Sequence, residues 1–150
     1  MISKDLFEKN LTEHQELFSN LKKIENNVTE VIQLIVKSLK SGGKIMFCGN
    51  GGSAADCQHL AAEFTGRFIK DRDPIAALSL TTDTSALTCI SNDYSFEDVF
   101  TRQLLALGKQ ADCLIAISTS GNSKNVINAV KKANELGIIT IGLLGNSGGD

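Results

Sequence analysis

Residues 113–145, CLIAISTSGNSKNVINAVKKANELGIITIGLLG, decide the fold. The segment opens on CLIAIS (113–118) and closes on IITIGLLG (138–145), two short stretches that are apolar at nearly every position. A strand with no polar alternation is one buried on both faces. Between the two lies TSGNS, rich in hydroxyls, and then KNVINAVKKANELG, whose apolar residues recur at helical spacing. Strand, loop, helix, strand is the grammar of a parallel sheet.

Upstream the same grammar repeats. KIMFC (44–48) predicts a strand, GNGGS a loop, and 53–67 a helix. IAALSL (75–80) predicts the next strand and TTDTSALTCI (81–90) a short helical segment. SNDYSF (91–96) has turn chemistry, with a helix after it through about Leu107. The chain has one proline, Pro74, and no low-complexity tract. The expected class is α/β, with a parallel sheet covered on both faces.

Ahead of the first strand, residues 3–40 read as helical. Phe7, Leu11, Leu17, Phe18, Leu21 and Ile24 recur at roughly helical spacing, and ENN (25–27) interrupts them. Val28, Val31, Ile32, Ile35 and Leu39 then share one face until SGG (41–43). Such a hairpin either packs on a neighbouring subunit or covers its own domain. The expected division is 1–42 for these helices and 43–150 for the α/β core, within a single domain.

The formal net charge of −2 and the scattered basic residues give no general attraction to nucleic acid or an anionic membrane. An anion bound here must be held by local dipoles and hydroxyls. The N-terminus is charged where a signal peptide is apolar, and LGIITIGLLGN is too short to span a bilayer. The chain reads as a cytoplasmic protein. Its four cysteines form no CxxC pair, and three lie in or beside apolar stretches. They read as buried reduced thiols, not as a zinc knuckle or disulfide framework.

In an open parallel sheet, ligands bind at the carboxyl ends of the strands. The loops there are GNGGS (49–53) and STSGNS (118–123), and each runs into a helix N-terminus. STSGNS carries Ser118, Thr119, Ser120 and Ser123 with no acidic residue beside them, which suits a phosphate. A helix cap would need only one of those serines. GNGGS has neither GxxxxGK[ST] nor GxGxxG spacing. Ser53 with Asp56 fits a capping box, and Asp56 would repel an anion. Asn50, Gly51, Gly52 and Ser53 are therefore expected to meet neutral ligand hydroxyls, leaving the phosphate to the other loop.

Asp56, His59, Glu63 and Arg67 fall on one stripe of the following helix. That stripe is either a solvated face laced by i,i+4 pairs, or a His/Glu pair able to clamp a metal or move a proton. Spacing alone leaves the two readings level. Asn92 and Asp93 are equally open, between turn chemistry and acceptors for a polyol. His14, among charged neighbours, reads as exposed.

With these residues in place, CGNGGSAADCQHLAAEFTGR, SNDYSFEDVF, ISTSGNSKNVINAV and the closing GGD together resemble the bacterial phosphoheptose isomerases, of the sugar-isomerase (SIS) domain superfamily. The resemblance runs over essentially the whole chain. It implies a three-layer, flavodoxin-like fold with a five-stranded parallel sheet, and a homotetramer with sites at subunit interfaces. It implies isomerisation of D-sedoheptulose 7-phosphate to D-glycero-D-manno-heptose 7-phosphate, feeding lipopolysaccharide or capsule. Zinc is the implied cofactor, at His59 and Glu63, and Glu63 matches the catalytic base. The implied substrate-binding positions are Asn50, Gly51, Gly52, Asn92, Asp93, Ser118, Thr119, Ser120 and Ser123.

The family pattern continues past the GGD at 148–150 into another strand and a long helix, carrying a Gln and a His that complete the metal site. The sequence is thus expected to be a piece of a longer protein, with half a metal site and no isomerase activity by itself. The second reading, from the same superfamily, is a non-catalytic protein that binds sugar phosphates or a replication initiator. The His-x-x-x-Glu pair argues for the enzyme, since a pure binder has no use for a base.

Overall fold

The computed structural model describes residues 4–149. The chain divides into two compact units, up to Gln33 and from Leu34 onward. In the first, α1 (Lys4–Asn20) passes into a 3-10 segment, Leu21–Ile24, and then into α2 (Glu25–Lys40), which runs on into the second unit. Asn20 and Glu25 both keep right-handed helical dihedrals, so the joint is itself helical. It also lies before the expected break at ENN, whose three residues form the first turn of α2. Phe7, Leu11, Phe18, Ile24, Val28 and Ile32 are all exposed.

The second unit alternates strands and helices. They are β1 (Ile45–Gly49), α3 (Gly52–Thr65), β2 (Ala77–Ser79), α4 (Thr84–Asp93), α5 (Val99–Leu107), β3 (Cys113–Ser118), α6 (Lys124–Glu135) and β4 (Ile139–Leu144). The four strands form one parallel sheet in the order β2-β1-β3-β4. Every residue of β1 is buried, as its unbroken apolar run requires. This is the flavodoxin-like order as far as its fourth strand. The fifth strand implied by the resemblance is not among the described residues.

Alternation along the strands sorts the core into two faces. Met46 and Cys48 of β1, with Leu114 and Ala116 of β3, pack into one cluster with Val99, Phe100 and Leu104 of α5 and Val126, Ala129 and Ala133 of α6. Phe47 faces the other way, against Phe64 of α3, with ring centroids 6.1 Å apart. The result is helix, sheet, helix. At the edge, Leu143 and Leu144 of β4 are about half exposed.

Strand boundaries follow the sequence closely, but the helical segment after β2 does not. The segment expected over 81–90 begins at Thr84, because Asp83 caps it by accepting from the Ala86 N–H at 2.9 Å. It then continues through Asp93, so the expected turn at 91–96 is displaced. The break comes at Tyr94, and Ser95 caps the short 3-10 turn Phe96–Asp98 that leads into α5.

The amino ends of β1 and β3 are tied by one carboxylate. Asp112 is 1% exposed and accepts from the backbone N–H groups of Lys44 (2.9 Å) and Lys109 (2.8 Å) and from Lys44 Nζ (2.6 Å). Ser38 of α2 donates to Ala111 O at 2.6 Å beside it. Gly43 allows that approach, since a Cβ there would stand 2.1 Å from Ala111 O. Burial opposes the charge on Asp112, but these donors and the Lys44 ammonium outweigh it and hold the carboxyl below its ordinary value. A depressed folded pKa contributes stability above the unfolded value, near pH 4, that is lost as pH falls through the folded one. Asp112→Asn should therefore cost about 3 kcal/mol at pH 7, read by urea denaturation. The gap from wild type should close as the pH drops below about 4.

Candidate functional site

The order β2-β1-β3-β4 makes β1 and β3 the switch point. The chain leaves β1 toward β2 on one side, and β3 lies on the other. The crevice belongs outside the carboxyl ends of these two strands. A cavity of about 190 Å³ opens there, lined by Asn50, Ser53, Ile117, Ser118, Thr119, Ser120 and Ser123. The two loops singled out in the sequence thus share one cavity. Gly51, the N-cap of α3, and Gly52, its first residue, do not line the cavity. Gly49 lets the loop turn tightly, because a Cβ there would lie 2.9 Å from both Ile117 O and Ser53 Cβ.

Five hydroxyl-bearing side chains, one primary amide and no carboxylate line this cavity. Ser118 Oγ accepts from the Gly121 N–H at 3.1 Å and stands 3.4 Å from Ser123 Oγ, while Ser120 Oγ accepts from the Asn122 N–H at 3.1 Å. Ser123 is the N-cap of α6, yet its side chain makes no capping bond. The positive end of the helix therefore opens onto a ring of donors, a setting that favours an anion with several acceptor oxygens. The thiols nearby are poor nucleophiles. Burial pushes Cys48 up strongly, and burial with the Asp56 charge pushes Cys57 up to about 11.

The capping box expected from Ser53 and Asp56 does not form. α3 starts at Gly52, its N-cap is Gly51 at φ 56°, and no side chain caps it. The helix begins earlier than the sequence suggested, placing Ser53 inside its first turn and on the cavity wall.

His59 and Glu63 lie farther along α3, with Nε2 3.3 Å from Oε1. His59 is 75% exposed and Glu63 28%. Glu63 lines a second, mostly apolar cavity of about 340 Å³ with Leu60, Phe64, Phe68, Arg72 and Ile75. Arg72 closes the end of the helix. Its Nη2 donates to Glu63 O at 2.5 Å, and its Nη1 to Phe64 O at 2.9 Å and Asp73 O at 3.0 Å. A cation at a helix carboxyl end is favourably placed. For a metal, His59 and Glu63 supply two donors of the right kind. No group of three or more His, Cys, Asp or Glu side chains that could hold an ion occurs among the described residues. The pair alone falls short of a zinc site.

Asn92 and Asp93 sit on the last turn of α4, not in a loop, and neither lines the serine cavity. Asn92 Nδ2 donates to Asp93 Oδ1 at 2.8 Å, and Cys89 Sγ donates to Asp93 Oδ2 at 3.3 Å. Those two bonds, the first being the larger cause, hold the Asp93 carboxyl below its ordinary value. The same contact raises the Cys89 thiol, and Cys89 is exposed, unlike the other three cysteines.

Asn125 was not anticipated from the sequence. It is 3% exposed and pairs with Asn50 across the two loops. The signal available was a polar residue on the same helical stripe as Val126, Ala129 and Ala133. Arg72, in a loop with no periodicity, left none.

Comparison with known proteins agrees with this fold. A family model described as the SIS domain matches residues 10–145. A Campylobacter jejuni protein named phosphoheptose isomerase 1 is 52% identical over 145 residues, 97% of this chain and 78% of its own length. A Helicobacter pylori phosphoheptose isomerase is 51% identical over 97% of this chain and 76% of its own. Among solved structures, the phosphoheptose isomerase from Neisseria gonorrhoeae has a TM-score of 0.83 at 46% identity, covering 96% of this chain and 77% of that one. The Francisella tularensis phosphoheptose isomerase has a TM-score of 0.86 at 32% identity, covering 98% and 78%. The cavity geometry itself generates a prediction. Gly49→Ala should cost about 1–3 kcal/mol by overpacking the turn, measured by thermal or denaturant unfolding.

Proposed function

The chain belongs to the phosphoheptose isomerases of the SIS-domain family, and from that premise we propose that it interconverts D-sedoheptulose 7-phosphate and D-glycero-D-manno-heptose 7-phosphate. The observation that carries the reading to this substrate class is the carboxylate-free, hydroxyl-lined cavity at the open N-terminus of α6. A phosphate offers acceptors only, and this cavity offers donors on every side. Asn50 and Ser53 line the same cavity, and in this reading they meet the hydroxyls of a sugar held by its phosphate.

The chemistry is the transfer of a proton between C1 and C2 through an enediol. A base takes the proton from one carbon, and an acid returns a proton to the other. Glu63 is the base in this reading. Its side chain is 28% exposed and lines a mostly apolar cavity, and His59 Nε2 lies 3.3 Å from Oε1 to orient it. Binding at the phosphate holds the reacting carbons in place, so remote contacts contribute to turnover as well as to affinity.

Glu63 and the serines line separate cavities. At about 1.5 Å of rise per residue, Ser53 and Glu63 are roughly 15 Å apart along α3. That spacing supports a site completed by a second protomer, one copy supplying Glu63 to another's serine cavity. We extend the proposal to a homotetramer on this ground, with the exposed apolar residues of α1 and α2 as further contact surface. Zinc at His59 and Glu63 belongs to the proposal as a partial donor set, and the remaining ligands must come from outside it. The products would supply heptose for lipopolysaccharide or capsule in the cytoplasm.

The test is an isomerase assay on the protein as the cell makes it. Wild type should turn over D-sedoheptulose 7-phosphate, with inorganic phosphate as a competitive inhibitor, and no turnover would overturn the proposal. Glu63→Gln should lower kcat by about a hundredfold or more while leaving inhibition by phosphate unchanged. Ser120→Ala should instead raise KM, by about tenfold for one lost charge-assisted hydrogen bond. Light scattering should report four subunits, and His59→Ala should abolish retention of zinc through dialysis.

A further inference from the structure

Asn50 is the one amide in the serine cavity, and its orientation is set from outside that cavity. Asn50 Nδ2 donates to Asn125 Oδ1 at 2.8 Å, and Asn125 Nδ2 donates back to Asn50 Oδ1 at 2.9 Å. A reciprocal amide pair has two solutions, related by flipping both side chains together, and the pair alone does not choose between them. The backbone does. The Val126 N–H donates to Asn125 Oδ1 at 2.9 Å, so the atom at that position must be an acceptor. The oxygen of Asn125 is thereby fixed, and through the pair so is the amide of Asn50.

The environment makes this constraint firm. Asn125 is 3% exposed at the start of α6, on the stripe whose neighbours Val126 and Ala129 are core residues. Its Oδ1 accepts two bonds and its Nδ2 donates one, so the side chain has little freedom to turn. Asn50 is partly exposed and follows the last residue of β1, held only through this pair among its side-chain hydrogen bonds. After pairing it keeps one N–H and one lone pair, which are the groups it can offer to a ligand in the cavity. Asn125 itself is absent from the cavity wall.

We infer that Asn125 is a positioning residue, acting on the ligand through Asn50. It presents the Asn50 amide in a single orientation to the carbon-chain hydroxyls of a sugar phosphate, while the serine loop holds the phosphate independently. The inference rests on the proposed isomerase function for its assay, and it assigns to Asn125 no contact with substrate.

A double-mutant cycle between positions 50 and 125 tests it. Asn125→Asp keeps the shape and the acceptor for Val126, but sets an oxygen against Asn50 Oδ1. Asn125→Ser removes the bridge while keeping a small polar side chain. Both should raise KM for D-sedoheptulose 7-phosphate by about tenfold, the scale of one mispaired polar contact, with a smaller change in kcat. In Asn125→Ser, which adds no charge, the inhibition constant of inorganic phosphate should stay at the wild-type value, a result that a general loosening of the loops would not give. In an Asn50→Ala background, Asn125→Ser should cost nothing further in kcat/KM. A full tenfold loss in that background would overturn the inference, as would unchanged KM in both single variants of an active wild type. A wild type without turnover would instead refute the isomerase reading. The two failures are then told apart by the wild-type assay. Should either variant fail to fold, side-chain amide NMR of Asn50 in the wild type supplies the check. Slowed exchange of its Nδ2 protons is expected, and free exchange at the rate of an exposed asparagine would overturn the inference.

Discussion

The parallel pairing of β1 with β3 is the constraint from which the rest of the site hangs. Ile45 through Gly49 lie in register with Cys113 through Ile117, and β1 is also paired on its other edge with β2. A strand held on both edges and buried on both faces resists slipping, because a one-residue shift would exchange Phe47 with Met46 and Cys48 between two differently packed faces. At the amino ends the register is locked by Asp112, which gathers donors from Lys44 and Lys109. At the carboxyl ends it is carried onward by the Asn50–Asn125 pair. The binding loops are thus extensions of a clamped pair of strands, and the cavity between them inherits that rigidity.

The charge arrangement divides the labour between two places. Around Ser118, Thr119, Ser120 and Ser123 there are hydroxyls, backbone N–H groups and an open helix N-terminus, with no carboxylate on the cavity wall. The carboxylate with a histidine beside it, Glu63, sits in another cavity among Leu60, Phe64 and Phe68. In the proposed isomerase reading, this separation spares a bound phosphate the repulsion of the Glu63 carboxylate. Within one chain the carboxylate and the serine ring therefore line different cavities. The apolar residues exposed on α1 and α2 form a surface of a kind that is costly to leave in water.

Much of this was legible from local pattern. The uninterrupted apolar runs at 44–48 and 113–118 identified buried parallel strands, and the structure places β1 and β3 within a residue of those bounds. The glycine and hydroxyl loops behind them were recognisable as cavity walls for the same reason. The failures were those of local chemistry with more than one outlet. Ser53 and Asp56 had the spacing of a capping box, but the backbone at Gly51 starts the helix earlier and no side chain caps it. Asn92 and Asp93 had the composition of a turn, yet the Asp83 cap sets the phase of α4 so that they end inside it.

The layered α/β architecture and the identity of the two loops were readable from residue order, because strand burial and helix periodicity are short-range properties. Which distant groups meet is settled by the assembled fold. Asn50 and Asn125 are 75 positions apart, and no periodicity links them. They meet because β3 lies beside β1 in the sheet, and that neighbourhood is a property of the assembled strands rather than of either segment. The same holds for Glu63 and the serine loop, which the folded chain puts in separate cavities. Along α3 the rise of the helix separates Glu63 from Ser53, the residue of α3 that lines the serine cavity.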